Sequence, residues 1–325
     1  MLGPLAQAMG HDPDGRLLAG GAFHEDAAVL RMPPGKALVQ SVDVLAPLVN
    51  DPARFGSIAA ANALSDIYAM GGEPWCALNI AFFPTTCLDL DILRAMAQGG
   101  LATLREAGAL LVGGHTVDDA EIRFGFSVTG IVDADAIAAN DGLRPGDILL
   151  LTKPLGTGIL ATALKAKWEG WEESEEELWR WCSRLNRWGA HVIRELGLKA
   201  ATDVTGFGLG GHLLEMGRAS GVSVRIDLDS LPLLPRAAEY AQNGLVPAAS
   251  HANRAYCRPW TRTRAPVDDI REILLFDAQS SGGLVLAVPA GKLGSAEELL
   301  AAQGESFWRI GDVAPLHDES FLLVE

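Results

Sequence analysis

The chain is short of positive charge: 26 lysines and arginines stand against 41 aspartates and glutamates, a net charge of −15 over 325 residues. A basic stripe of the kind that follows a phosphate backbone is missing, which argues against nucleic acid as a partner. Long apolar runs are also missing, and nothing approaches the roughly 20 residues of a membrane span. The first residues, MLGPLAQAMG, have neither a cationic start nor an apolar stretch, so no secretory signal is read there and the cytoplasm is the expected compartment. Cysteine is scarce, with Cys76, Cys87, Cys182 and Cys257 forming no CxxC pair and no Cys/His cluster at zinc spacing; reduced, partly buried thiols are expected. The Walker pattern GxxxxGK[ST] does not occur, and no GxGxxG follows a strand in a dinucleotide-binding unit. An acidic protein can still bind a polyanion such as ATP, provided divalent metal lies between its carboxylates and the phosphates.

What is present is a long alternation of helix and strand signals. Residues 1–10 read as a short helix; 26–45 as a hairpin turning at Pro33-Pro34-Gly35; 53–70 as a helix closed by Gly71-Gly72; 75–83 as a strand ended by Pro84; and 88–107 as an amphipathic helix. ALLVGGHT reads as a buried strand entering a glycine turn, and FGFSVTGIV as another strand. Arg144-Pro145-Gly146-Asp147 opens a new apolar strand, so the domains are expected at 1–145 and 146–325. In the second, 158–167 is a helix, the acidic run 169–177 a solvated loop or helix start, and Leu178, Trp181, Leu185, Trp188, Val192 and Leu196 one face of a helix. Five of eight tryptophans fall in 168–188, where exposed ones would mark an interface. The stretch 240–265 looks loop-rich. Mixed strands and helices in both halves give an α/β or α+β class.

Four aspartates sit at element edges beside small apolar residues: Asp26, Asp43, Asp66 and Asp203. A carboxylate held away from bulk water needs a partner, and divalent metal is one; an N-cap or a turn is another, and no spacing rule joins these four. Asn62 and Asp66 are four apart on one helix and share a face, where an amide and a carboxylate could hold a hydrated Mg²⁺ and a phosphate oxygen. Gly113-Gly114-His115-Thr116, LTKPLGTGI with Lys153, and GFGLGGH ahead of a helix offer backbone N–H groups to anions or serve as structural turns. His115 and His212 read as hydrogen-bonded structural histidines before general bases.

With these motifs in place the chain resembles the selenophosphate synthetase family from end to end. EDAAV (25–29), NALSDIYAMGG (62–72), GGHTVDDAEIRFGFSVTG (113–130), LTKPLGTGI (151–159), ATDVTGFGLGGH (201–212) and DAQSSGGLVLAV (277–288) occur in the family's order. The resemblance implies a two-domain fold like aminoimidazole ribonucleotide synthetase, with an N-terminal ATP- and metal-binding domain that pairs across a homodimer. It implies a kinase-type transferase that makes selenophosphate, AMP and phosphate from ATP, selenide and water, with Mg²⁺. By matching motifs, Asp26, Asp66 and Asp203 would be Mg²⁺ ligands, and Asp43 a further metal or nucleotide contact. Phe23, His24 and Glu25 would line ATP with Gly114, His115 and Thr116, and Asn62 and Asp118 would add contacts. The family's cysteine or selenocysteine and its lysine would lie upstream of Met1, so no residue here inherits the catalytic role. The alternative is a catalytically silent nucleotide-binding paralogue or regulatory subunit. Relatives such as thiamin-monophosphate kinase are a further alternative.

Overall fold

The computed structural model describes residues 17–19, 29–30, 33–263 and 267–325. The helix expected over 1–10 and the candidate residues Phe23, His24, Glu25 and Asp26 lie outside the described residues. The chain forms two compact units. The first comprises the described residues up to Tyr68, with Gly72–Asp135 and Ser183–Leu185. The second comprises Ala69–Gly71, Ala136–Cys182 and Asn186–Glu325.

In the first unit β1 (Leu17–Ala19) and β2 (Val29–Leu30) make a small antiparallel pair. Residues 26–28, 31 and 32 of the hairpin expected over 26–45 lie outside the described residues, and among the described ones β3 (Lys36–Leu45) pairs along its whole length with β6 (Arg123–Asp133). With β4 (Glu73–Phe83) and β5 (Leu110–Asp118) they give a four-stranded sheet in the order β3-β6-β4-β5, antiparallel but for the β4/β5 pair. The two faces differ. Phe124, Phe126, Val128 and Val132 of β6 are buried on one face, toward α1 (Pro52–Ala69) and α2 (Leu90–Glu106). On the other face Leu38, Val42, Val44 and Leu78 stay exposed, Val42 at 58%. The two helices cross at backbone contact: a Cβ on Gly56 would lie 1.9 Å from the Met96 carbonyl oxygen, and one on Gly99 1.9 Å from that of Ala53. Only glycine permits that approach. A capped start supports α2, where the Asp89 carboxylate accepts from the Asp91 N–H at 2.9 Å.

The second unit is built on a seven-stranded mixed sheet. Its strands are β7 (Asp147–Leu151), β8 (Ala201–Asp203), β9 (Val222–Ile226), β10 (Thr261–Thr263), β11 (Leu284–Pro289), β12 (Trp308–Pro315) and β13 (Leu322–Val324), in the order β10-β13-β9-β12-β7-β11-β8. Central β7 is a continuous apolar run, and Leu149, Leu150 and Leu151 are fully buried, as a strand covered on both faces requires. Its helices are α3 (Thr157–Lys165), α4 (Trp171–Cys182), α5 (Arg187–Leu196), α6 (Gly208–Ser220), α7 (Ala237–Gln242), α8 (Ala248–Cys257), α9 (Asp269–Leu275) and α10 (Leu293–Ala302). Leu209, Leu213, Leu214 and Met216 of α6 join Val224, Ile226, Val285, Ile310 and Val313 in one core.

Two expectations change here. The face running from Leu178 to Leu196 is not one helix: the chain breaks between α4 and α5, where the buried Asn186 amide donates to the Gly282 carbonyl at 2.9 Å. The described part of the stretch 240–265, up to residue 263, is largely helical. α8 buries Ser250, Asn253 and Cys257, polar or small residues that leave no apolar stripe to read. The acidic run 169–177 forms the start of α4 from Trp171 onward. Within the tryptophan-rich segment Trp181 is buried, while Trp168 and Trp179 are exposed.

Candidate functional site

Alternation along β3 turns Ser41, Asp43 and Leu45 toward the half-buried face, with Val42 and Val44 on the open one. After residues 46–51, α1 returns over that face and carries Asn62 and Asp66, one turn apart, to it. The Asn62 Nδ2 donates to Asp43 Oδ2 at 2.8 Å, and the Ser41 hydroxyl donates to Asp66 Oδ2. Strand and helix thus bring two carboxylates into electrostatic contact. Burial, and then repulsion from Asp66, raises Asp43 to about 6 against the pull of its Asn62 hydrogen bond. Asp66 is raised too, chiefly by burial, with the Ser41 bond working the other way. The pair is partly starved of counter-charge. Carboxylate and carboxamide oxygens are the hard donors that Mg²⁺ prefers, so this donor set fits a divalent cation. Among the described residues no group of three or more His, Cys, Asp and Glu side chains stands ready to enclose a metal. Asp203 belongs to the second unit.

GGHT is not a turn. β5 continues through Gly113 and Gly114 to Asp118, paired with β4, and a register shift opposite Ala77 and Leu78 takes up the irregularity. Gly114, His115 and Thr116 are exposed. One cross-strand row runs Asp43, Phe126, Asn79, Gly114, so Gly114 lies three strand spacings, about 14 Å, from Asp43. The structure therefore unites Asp43, Asn62 and Asp66 and sets Gly114–Thr116 at the opposite edge of the sheet. Asp118 is occupied by Thr85, accepting from its backbone N–H at 3.0 Å and its hydroxyl at 2.6 Å, which holds the carboxyl below its usual range. Asn79, 9% exposed beside Gly114, has an Nδ2 with no hydrogen-bond partner. Sequence reasoning missed both Asn79 and Ser41. Ser41 was open to it, being two residues from Asp43 on the same strand face.

In the second unit LTKPLGTGI, DVTGFGLGGH and DAQSSGG meet. Asp203 closes β8 and is buried. The turn after it is tied down by the Thr205 N–H, which donates to His212 Nε2 at 3.1 Å. Burial pushes His212 down to about 4, so its ring is neutral and acts as an acceptor, the structural role expected for it. LTKPLGTGI does not offer an anion site. Lys153 is 1% exposed and donates to the Ser281 carbonyl at 3.0 Å. The first N–H groups of α3 are already taken. Gln279 Oε1 accepts from Gly156 N at 3.0 Å and Thr157 N at 3.1 Å, and Asp277 Oδ2 from Gly158 N at 3.2 Å and Ile159 N at 3.4 Å. Burial raises Asp277 to about 6 despite these bonds.

Two family models match the chain: AIR synthase related protein, N-terminal domain, over residues 24–132, and AIR synthase related protein, C-terminal domain, over 144–323. Among curated proteins, a selenide, water dikinase of Nitratidesulfovibrio vulgaris (strain Hildenborough) is 57% identical over 298 residues, covering 92% of this chain and 85% of the relative. One of Geobacter metallireducens is 44% identical, covering 98% of this chain and 92% of that one. Among solved structures, a thiamine-monophosphate kinase from Stenotrophomonas maltophilia K279a superposes with a TM-score of 0.75 at 22% identity, covering 100% of this chain and 95% of that one. The hydrogenase maturation protein HypE in complex with ATP superposes with a TM-score of 0.69 at 18% identity, covering 93% and 85%. At such identities these two establish the fold alone.

Proposed function

The chain belongs to the selenide, water dikinase family, and from that premise we propose that it uses ATP and water to convert selenide to selenophosphate, releasing AMP and phosphate. The observation that carries the site is the Asp43/Asp66 pair, two carboxylates raised by burial, Asp43 also by repulsion from Asp66, which a divalent cation would relieve. Asp26, Asp43, Asp66 and Asp203 are the Mg²⁺ ligands in this reading. Mg²⁺ would neutralise charge on the phosphates as it develops. Asn62 fixes the Asp43 carboxylate through its 2.8 Å hydrogen bond, so one Asp43 oxygen is oriented and the other is left for metal or its water. Ser41 does the same for Asp66. Phe23, His24 and Glu25, with Gly114, His115, Thr116 and Asp118, are assigned to the nucleotide. The first unit is then the ATP- and metal-binding domain and the second the C-terminal α/β domain.

The open apolar face of the first sheet supports a homodimer. Leu38, Val42, Val44 and Leu78 together form an exposed apolar patch on one side of a sheet whose other side is covered. The four cysteines are free thiols, in keeping with a reaction placed in the reducing cytoplasm.

Calorimetric titration with a non-hydrolysable ATP analogue, with and without Mg²⁺, tests the site in the wild type and in Asp66→Asn. Mg²⁺-dependent binding in the wild type that is lost in the variant is the expected outcome. Binding that needs no Mg²⁺, or that survives the substitution, overturns it.

A further inference from the structure

The motif 277–283 takes no part in the reading above, yet it meets the segment that carries Asp203. We propose that Gln279, backed by Asp277, is a positioning residue for Asp203, fixing the backbone from which that carboxylate reaches Mg²⁺. The proposal rests on Asp203 being a metal ligand. Asp203 ends a three-residue strand at the edge of its sheet, paired among the described residues on one side, to β11. Such a strand has little order of its own. Past Asp203 the chain is zipped to the motif: Val204 N donates to the Gly283 carbonyl at 2.9 Å, Gly282 N to that of Val204 at 3.1 Å, and Gln279 N to that of Thr205 at 3.0 Å.

The motif is in turn held by side chains. Gln279 is buried, and its Oε1 takes three donors: Gly156 N, Thr157 N and the Thr157 hydroxyl at 3.1 Å. Its Nε2 donates to the Asp277 backbone carbonyl and to Asp277 Oδ2, both at 2.8 Å. The same Thr157 hydroxyl accepts from Ser280 N at 2.9 Å. A leucine of similar size could do none of this, and a glutamate could not donate to Asp277. Mg²⁺ demands near-ideal octahedral geometry, so a small shift of one ligand is felt as lost affinity. Partners that orient a metal's ligands are typically worth about 10–100-fold in metal affinity.

The test is the Mg²⁺ concentration that half-saturates binding of a non-hydrolysable ATP analogue, read by calorimetry on the full chain, with the thermal midpoint measured alongside. Gln279→Leu is expected to raise that concentration about tenfold or more. Thr157→Val, which removes one bond to Gln279 at nearly constant volume, is expected to raise it less. Asp203→Asn should raise it at least as far as Gln279→Leu. If Asp203→Asn raises it and Gln279→Leu leaves the wild-type value at a lowered midpoint, Gln279 is merely structural and the proposal is overturned. Should Gln279→Leu not fold, an unshifted Thr157→Val overturns it in the same way. If Asp203→Asn itself has no effect, the metal assignment of Asp203 fails and the proposal goes with it.

Discussion

Asp277→Asn should change how the second unit responds to pH. The Asp277 carboxyl is fully buried, and burial raises it from an ordinary 3.8 to about 6, against hydrogen bonds from Ser250, Gln279, Ile159 and Gly158. Below about pH 4 the folded and unfolded chains both carry the proton. Between about 4 and 6 only the folded chain keeps it, so stability falls as pH rises through that window and then levels off. One pH unit of displacement corresponds to about 1.4 kcal/mol, so the ionised carboxylate costs the fold about 3 kcal/mol at neutral pH. Asparagine avoids that cost with little disturbance. Its oxygen can take the place of Oδ2, and its amide can donate to the Ser250 hydroxyl, which already accepts from Ala278 N at 3.2 Å. Asp43, Asp66 and Asp147 are raised like Asp277, and His212 is lowered and acts in the opposite sense. These groups are common to both proteins, so the difference between them isolates Asp277. Scanning calorimetry from pH 4 to pH 7 should show the variant gaining on the wild type by about 3 kcal/mol, roughly 6–12 °C in midpoint for a unit of this size. A constant offset between the two would reflect imperfect hydrogen bonding and would not matter. A midpoint difference that does not change with pH refutes the reasoning.

Two further outcomes are expected. Gly125→Ala should destabilise the first unit by about 1–3 kcal/mol in denaturant titration and weaken Mg²⁺-dependent nucleotide binding, since the added Cβ would lie 1.8 Å from the Asp43 carbonyl oxygen and must push β3 away. Val42→Asp and Leu78→Asp each put a charge in the row that flanks Ser127 on the open sheet face. Analytical ultracentrifugation should find both variants shifted toward monomer relative to the wild type, and an unchanged mass would remove that face as the dimer contact.

Local signals fared well wherever an element answers to its own residues. α1 ends at Ala69, just ahead of the Gly71-Gly72 pair that marked its close, and β4 ends at Phe83, against Pro84. Asn62 and Asp66 could be paired in advance, because helical spacing puts residues four apart on one face. The failures share a cause. Gly113-Gly114 looked like a turn, but a neighbouring strand supplied the partner that keeps β5 extended. The face from Leu178 to Leu196 looked continuous, but a hydrogen bond from Asn186 to a segment almost a hundred residues away accompanies the break in the helix.

The sequence by itself determined the class, the order of the motifs and the family, because motif identity and hydrophobic period are properties of the chain read along its length. Only the tertiary structure decided which acids meet. Asp43 and Asp66 are 23 positions apart, and their contact depends on α1 folding back across β3. It also decided that Lys153 and the start of α3 are not open to an anion. The Ser281 carbonyl reaches Lys153, and Gln279 and Asp277 reach the start of α3, each from more than a hundred residues downstream, and a buried donor is satisfied by whatever acceptor the fold brings to it, whatever the distance along the chain.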